Sequence, residues 1–344
     1  MDAPTNRSRR DVLKLGLAAT ASTAIATSKT SHAQGAGDLA PSPKTRPWVV
    51  PLPVYTPKRS VPIEFFGTKP PQKYANVAGG ECGRDQHKRW DEFKPTKFYD
   101  MRIKQVWHEF HPDLPKQDCW SYDGMVPGPT FHARYGERTL LRVHSDIPDN
   151  ATGPGSPQFS THLHNMHNPS ESDGFAGNFY GGLTYGPTLS SAGSWQDYHY
   201  PFIYAGHDQF KHLPGFENGD PREALGTAWY HDHRMDFRAA HSYRGTAGFF
   251  LMFDHIDTGD ETRANYPDTA LGLPSGDYDV PIMLADKHFD ANGLLIYDQF
   301  AGEGFVGDKV TVNGKIQPYF NVARRKYRIR ILAGGPARIY DLVL

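Results

Sequence analysis

From Lys97 onward the chain is built of short runs in which apolar and polar residues take turns, each run cut off by proline, glycine, Asn or Asp. Tyr99, Met101 and Ile103 alternate with polar neighbours, YDGMVPGPTF supplies a Pro-Gly turn, and TLLRVHSDIPDN is a second alternating run closed by turn residues. A period of two places every second side chain on one face, the pattern of a half-buried strand. With 28 Pro and 34 Gly in 344 residues, the runs read as strands joined by turns rather than as helices. The expected fold class is all-β, organised as antiparallel β-sandwich domains. The length allows two such domains, each with its own core.

The first 33 residues read as an address rather than as part of the fold. Arg9 and Arg10 in SRRDVLK precede an apolar run from Leu15 to Ala26, and Ser31-His32-Ala33 offers a small-x-small cleavage site before Gln34. This pattern resembles a twin-arginine export signal, and the apolar run is shorter than the roughly 20 residues that span a bilayer. The expectation is a protein handled by the twin-arginine export machinery, periplasmic or secreted, with no stable membrane anchor. Substrates of that route usually cross folded, often with a cofactor already installed.

Residues 34–95, rich in Pro, Lys and Gly, read as an extended arm, 96–256 as a first domain, 257–276 as a linker and 277–344 as part of a second domain. Within the first domain, Asn168 to Gln209 reads as loop insertions and Ala247 to Phe253 as a buried closing strand. In the second, Asn292-Gly293 marks a turn, and Tyr327, Ile329 and Ile331 alternating with Arg328 and Arg330 fit a half-buried strand. A balance of 37 basic against 38 acidic residues offers no field that would gather nucleic acid or an anionic membrane surface. Cys82 and Cys119 have neither zinc-site nor redox CxxC spacing, so they are free thiols or one disulfide.

The stretch THLHNMHNPSESDG contains His162 and His164, and WYHDHRM contains His231 and His233. On a strand, residues i and i+2 share a face about 6.5 Å apart, so each HxH aims both imidazoles into one space. Clustered neutral imidazoles with few carboxylates or thiolates favour copper or zinc over magnesium or calcium. A lone HxH is commonly structural. Two in one inferred domain, each in a Gly- and aromatic-rich setting, point to a metal.

These two motifs, in this order, resemble the N-terminal copper-binding motifs of the multicopper oxidases, particularly the group of bacterial spore-coat laccase, bilirubin oxidase and phenoxazinone synthase. HPDLPKQDCWSYDGMVPGPTF resembles that group's first-domain strand and turn, and DVPIMLADKHFDANG, TVNGK and RKYRIRILAGGPARIY resemble its second domain, so the likeness runs from about Pro47 to Leu344. The resemblance implies cupredoxin-like domains, one complete and a second in part. It assigns His162 to a type 2 copper and His164, His231 and His233 to a type 3 pair, half of the ligands of a cluster that reduces dioxygen to water. Asp173 matches the family's acidic residue near that cluster, assisting proton delivery; its other reading is an Asp-Gly turn. Asp232, on the opposite strand face, reads as a hydrogen-bonding structural residue.

Asn165 stands where the family usually has Gly, and Asn best tolerates a left-handed backbone. His167 reads as a loop histidine, His241 has a similarly modest claim as a ligand, and His108, His111, His199, His207 and His212 read as surface or loop residues. Nothing in the sequence resembles the family's type 1 copper motif of one cysteine with two histidines. The type 1 site is therefore expected to be absent from this chain, together with the third domain that supplies the remaining cluster ligands. A partial ligand set binds metal weakly, so the chain is expected to be inactive alone. The complete enzyme would take dioxygen and a small reducing substrate: a phenol, an aromatic amine, a bilirubin-like pigment or a metal ion. The competing reading is a copper-free exported cupredoxin-like scaffold. A zinc hydrolase would need helical periodicity that is not seen, and a two-domain nitrite reductase would need histidines around Cys119.

Overall fold

The computed structural model describes residues 39–67, 87–174, 189–263, 270–301 and 304–343. Residues 1–33, on which the expectation of an export signal rests, Cys82, and parts of the loop-rich stretch and of the linker lie outside them. Among the described residues, thirteen strands form three sheets. The first contains β2 (Gln117–Tyr122), β1 (Lys97–His108), β4 (Thr139–Ser145) and β6 (Trp195–Tyr200), in that order. The second runs β3 (Gly128–Arg134), β8 (Ala247–Phe253), β7 (Thr227–Asp232), β5 (Thr161–His164). The third is centred on β9 (Asp279–Phe289), flanked by β10 (Leu295–Ile296), β11 (Lys309–Val312), β12 (Lys315–Ile316) and β13 (Arg328–Ala333). Antiparallel pairing predominates; β1 with β4, β3 with β8 and β9 with β13 are the parallel contacts.

The first two sheets close on one core. Tyr99, Met101 and Ile103 face inward from β1 while Arg102 and Lys104 stay exposed, so the alternation in the sequence is realised residue by residue. They meet Phe131, Leu163, Tyr230, Phe250 and Met252 from the second sheet. Aromatic rings knit the layers: Phe131 stacks on Phe250 at 4.8 Å and meets Tyr230 edge-on at 5.3 Å. The Tyr230 hydroxyl donates to the Pro129 carbonyl at 2.6 Å, satisfying a buried acceptor.

β8 is buried along its whole length because both of its faces are covered. Phe250 and Met252 enter the sandwich core, whereas Phe249, Leu251 and Phe253 pack with Met283 and Leu332 of the third sheet. Residues 39–67 lie largely without regular structure across both units, with Leu52 N–H donating to the Tyr319 carbonyl at 2.7 Å and Val61 N–H to the Phe98 carbonyl at 2.8 Å.

Two expectations need correcting. The stretch from Asn168 to Gln209 is not all insertion, because it contains β6. Gln196, Asp197 and His199 make that strand look like a loop, yet all three are buried. Asp197 takes a bidentate ion pair from Arg142 at 2.7 and 2.8 Å, and His199 Nε2–H donates to the Phe93 carbonyl at 2.7 Å. On β13 the buried side is the arginine side. Arg330 is 4% exposed and clamps Asp279 with two 2.7 Å bonds, while Ile329 and Ile331 are 42% and 51% exposed.

Candidate metal centre

Antiparallel pairing of β5 with β7 sets His162 directly opposite His231 and His164 opposite Trp229. Leu163 and Tyr230, one position along, point into the core, so the period of two turns both HxH motifs onto the outer face of one sheet. His233 lies just past the end of β7, fixed by its N–H donating to the Ser160 carbonyl at 2.7 Å. The four imidazoles converge on His162, whose ring centroid is 5.2 Å from His164, 5.4 Å from His231 and 5.1 Å from His233. Nitrogen atoms of His162, His164 and His231 all lie within 4.8 Å of one another.

The protons can be placed because carbonyls only accept. His162 Nδ1–H donates to the Asp173 carbonyl and His231 Nδ1–H to the Asp232 carbonyl at 2.7 Å, leaving both Nε2 lone pairs free. His231 Nε2 faces His164 Nδ1 at 3.4 Å. His233 Nδ1 is buried with no hydrogen-bond partner. Burial, then repulsion from the neighbouring imidazoles, pushes His231 down to about 3 and also lowers His164 and His233. Burial opposes the charged form of His162 too, but its bonds to the side chain and carbonyl of Asp173 outweigh that and raise it.

This donor set fits copper. Lowered imidazoles are neutral at pH 7, the form a ligand needs, and an orphaned buried nitrogen costs about 1–3 kcal/mol that a bound metal ion would relieve. Trp229 braces the cluster, stacked on His231 at 4.1 Å and on His164 at 5.1 Å. Trp229 and His231 share a strand face through their i, i+2 spacing, so the brace is written into the WYH stretch itself.

Asp173 stands in the turn that the Asp-Gly pair suggests, and its side chain lies beside His162. It ends a short 3-10 turn ahead of Gly174, and its Oδ1 lies 3.4 Å from His162 Nδ1 with Asn168 Nδ2 donating to it at 3.3 Å. Its side chain is 44% exposed, open to water beside the imidazoles. Gly174 has φ +67°, and a Cβ there would overlap the Thr161 carbonyl and sit 2.6 Å from the His162 backbone nitrogen. Asn165 takes φ +72°, the left-handed turn for which Asn is suited.

Asp232 accepts from the backbone N–H groups of Ser160 at 2.8 Å and Arg234 at 3.1 Å. His167 is exposed, beside Glu223. His212 is exposed and His108 half-buried, but His111, His199 and His207 are buried, against the surface reading. His111 and His199 are drawn inside by carbonyl partners, Arg46 and Phe93, and His207 packs edge-on against Phe93. Cys119 is a buried free thiol among Phe110, Leu114, Val126, Phe289 and Ile316, and burial pushes it up to about 12. A second acidic group, Glu92 with His207 and Asp208, has its carboxylates engaged by Arg89 and Lys211 and reads as a surface ion-pair network.

Residues 105–215 match the family model of the multicopper oxidases. The chain is 33% identical over 247 residues to bilirubin oxidase of Albifimbria verrucaria, covering 71% of this chain and 35% of that protein. It is 32% identical over 269 residues to a laccase of Haloferax volcanii, covering 72% and 40%. A laccase of Bacillus subtilis is 26% identical over 289 residues, covering 76% and 50%, so the chain spans a third to a half of the length of these relatives. Among solved structures, a variant of the McoA multicopper oxidase of Aquifex aeolicus superposes with TM-score 0.52 at 23% identity, covering 72% of this chain and 44% of that one. A laccase of Pediococcus acidilactici gives TM-score 0.52 at 18% identity, covering 86% and 48%. These likenesses carry the fold, which is cupredoxin-like. By sequence, residues 105–215 of the chain form a domain of the multicopper oxidase family.

Proposed function

We propose that His162, His164, His231 and His233 form one wall of a copper cluster at which dioxygen is reduced to water, with electrons drawn from a phenol, an aromatic amine, a bilirubin-like pigment or a metal ion. In this reading His162 holds a type 2 copper, and His164, His231 and His233 serve a type 3 pair. Copper, when bound, supplies one-electron redox capacity. The chain's own residues do the rest. The Asp173 and Asp232 carbonyls fix the His162 and His231 rings with Nε2 free to hold the metal, and the exposed Asp173 carboxylate would hold water and pass protons beside His162. Trp229 keeps the His164 and His231 rings parallel to its own indole.

The observation that carries this reading is the convergence of three imidazole rings on His162 within 5.1–5.4 Å. Cys119 does not serve as a type 1 ligand, because its apolar burial disfavours the thiolate. In this reading, oxidation of the reducing substrate and the remaining cluster ligands belong to a further cupredoxin domain or a complementing chain, and this chain alone is expected to hold copper weakly and not to turn over. Export by the twin-arginine route would place it in the periplasm or outside the cell.

The test is copper titration of the purified chain with metal analysis and electron paramagnetic resonance. Nitrogen-coordinated copper lost in a His162→Ala, His231→Ala double variant is the expected result. Uptake that ignores both substitutions, or none even when a third-domain fragment is added, overturns the reading in favour of the copper-free scaffold.

A further inference from the structure

His241 is fully buried and shares nothing with the imidazole cluster directly, yet it is bonded to the residue that separates two members of it. It sits on the short helix Arg238–Arg244, which follows the second HxH motif and leans on β7. Its Nδ1 lies 2.6 Å from Asp232 Oδ2, and its Nε2 accepts from the Ser156 backbone N–H at 2.8 Å. An N–H can only donate, so Nε2 carries the lone pair and Nδ1 carries the proton that goes to Asp232. Both side chains are wholly inaccessible to solvent. The imidazole is also held mechanically, tilted against Phe159 at 4.8 Å and Trp120 at 5.5 Å and stacked on Phe237 at 6.1 Å. Gly155 is bare on the side where a Cβ would strike the ring.

Asp232 in turn gathers the backbone on both sides of the site. Its Oδ1 accepts from Ser160 N–H, next to β5, and its Oδ2 from Arg234 N–H, immediately after His233. The Ser160 carbonyl then takes the His233 N–H, and the Asp232 carbonyl takes His231 Nδ1–H. The Asp232 carboxylate therefore sits at the junction of both HxH segments, held by the Ser160 and Arg234 N–H groups and by His241 Nδ1–H.

We propose that His241 is a positioning residue for the metal centre, which through its Nδ1–H bond to Asp232 sets the relative orientation of the His231 and His233 imidazoles. This rests on the copper reading for its purpose, but the geometric part holds without metal. A chain of hydrogen bonds running from a packed ring to a ligand-bearing turn is how ligands are commonly held in register, and losing such a partner typically lowers metal affinity about 10–100-fold.

Two substitutions of similar polarity separate the Asp232 bond from mere filling of the space. In His241→Asn the amide nitrogen falls where Nδ1 is and keeps the bond to Asp232. In His241→Gln the amide oxygen falls where Nε2 is, so the Ser156 bond survives and the Asp232 bond is lost. Copper affinity by calorimetry should stay within about threefold of the parent in the Asn variant and fall about 10–100-fold in the Gln variant. In parallel, nitrogen-15 spectra of histidine-labelled, metal-free protein should show the His231 and His233 ring resonances unmoved in the Asn variant and displaced in the Gln variant. Parent protein that takes up no copper while the ring resonances follow this order would sink the copper reading and support the positioning role. Variants alike in both measurements, or Gln closer to the parent than Asn, overturn it.

Discussion

Gly174→Ala should cost far more than an ordinary glycine substitution, and the cost should be felt at His162. Gly174 occupies the left-handed region at φ +67°, where a side chain costs about 1–2 kcal/mol, offset by roughly 0.4–1 kcal/mol from stiffening the unfolded chain. That backbone contribution alone leaves about 1 kcal/mol. Gly193, at φ +72° with nothing within 4 Å of the place a Cβ would take, isolates it as a control. At Gly174 the added methyl also overlaps the Thr161 carbonyl and stands 2.6 Å from the His162 backbone nitrogen, so the turn must move off β5. Moving it breaks the bond from His162 Nδ1–H to the Asp173 carbonyl and disturbs the Asn168 contact with the Asp173 carboxylate, each worth about 1 kcal/mol. The sum is about 3 kcal/mol for Gly174→Ala against about 1 kcal/mol for Gly193→Ala. Urea denaturation of both variants reads the difference, and nitrogen-15 spectra of His162 report its tautomer. Equal destabilisation of the two, with the His162 resonances unchanged, would show that the turn does not orient that ring.

Tyr230→Phe removes the donor to the Pro129 carbonyl and should lower stability by about 1–2 kcal/mol without moving the copper affinity, measured by denaturant melts and metal titration. Arg330→Met removes both close bonds to buried Asp279, leaving Arg328 at 3.9 Å, and should cost about 3–5 kcal/mol, whereas the double variant with Asp279→Leu should recover much of it; a single variant as stable as the parent would contradict the buried clamp. His87 is pushed down from 6.5 to about 3, first by burial and then by repulsion from His199, so below 6.5 the unfolded chain takes a proton that the native state refuses. Stability should therefore be full above pH 6.5 and decline as pH falls towards 3, and His87→Phe, which keeps a ring against Trp90, should flatten that decline in urea midpoints taken at successive pH values.

Much of this architecture is readable from the chain alone because the period of two is a local property. Tyr99, Met101 and Ile103 announce their face by their spacing, and so do the histidines, since an i, i+2 pair on a strand has no choice of direction. What the sequence withholds depends on partners far along the chain. β6 passes for a loop because Gln196, Asp197 and His199 are polar, and Arg142 and the Phe93 carbonyl help make the burial of Asp197 and His199 tolerable. On β13 the alternation is visible but its sense is not: which face is inside depends on Asp279 waiting on β9 for Arg330. His241 has no local signal at all, since a histidine on a short helix acquires its role from a carboxylate nine positions earlier.

β8 is a party wall. Phe250 and Met252 belong to the room on one side, and Phe249, Leu251 and Phe253 to the room on the other. Cutting the gene between Phe253 and Asp279 would strip three large side chains of their cover, each worth about 1.5–3 kcal/mol of burial. The two halves should consequently melt together, in a single calorimetric endotherm, rather than as separable modules.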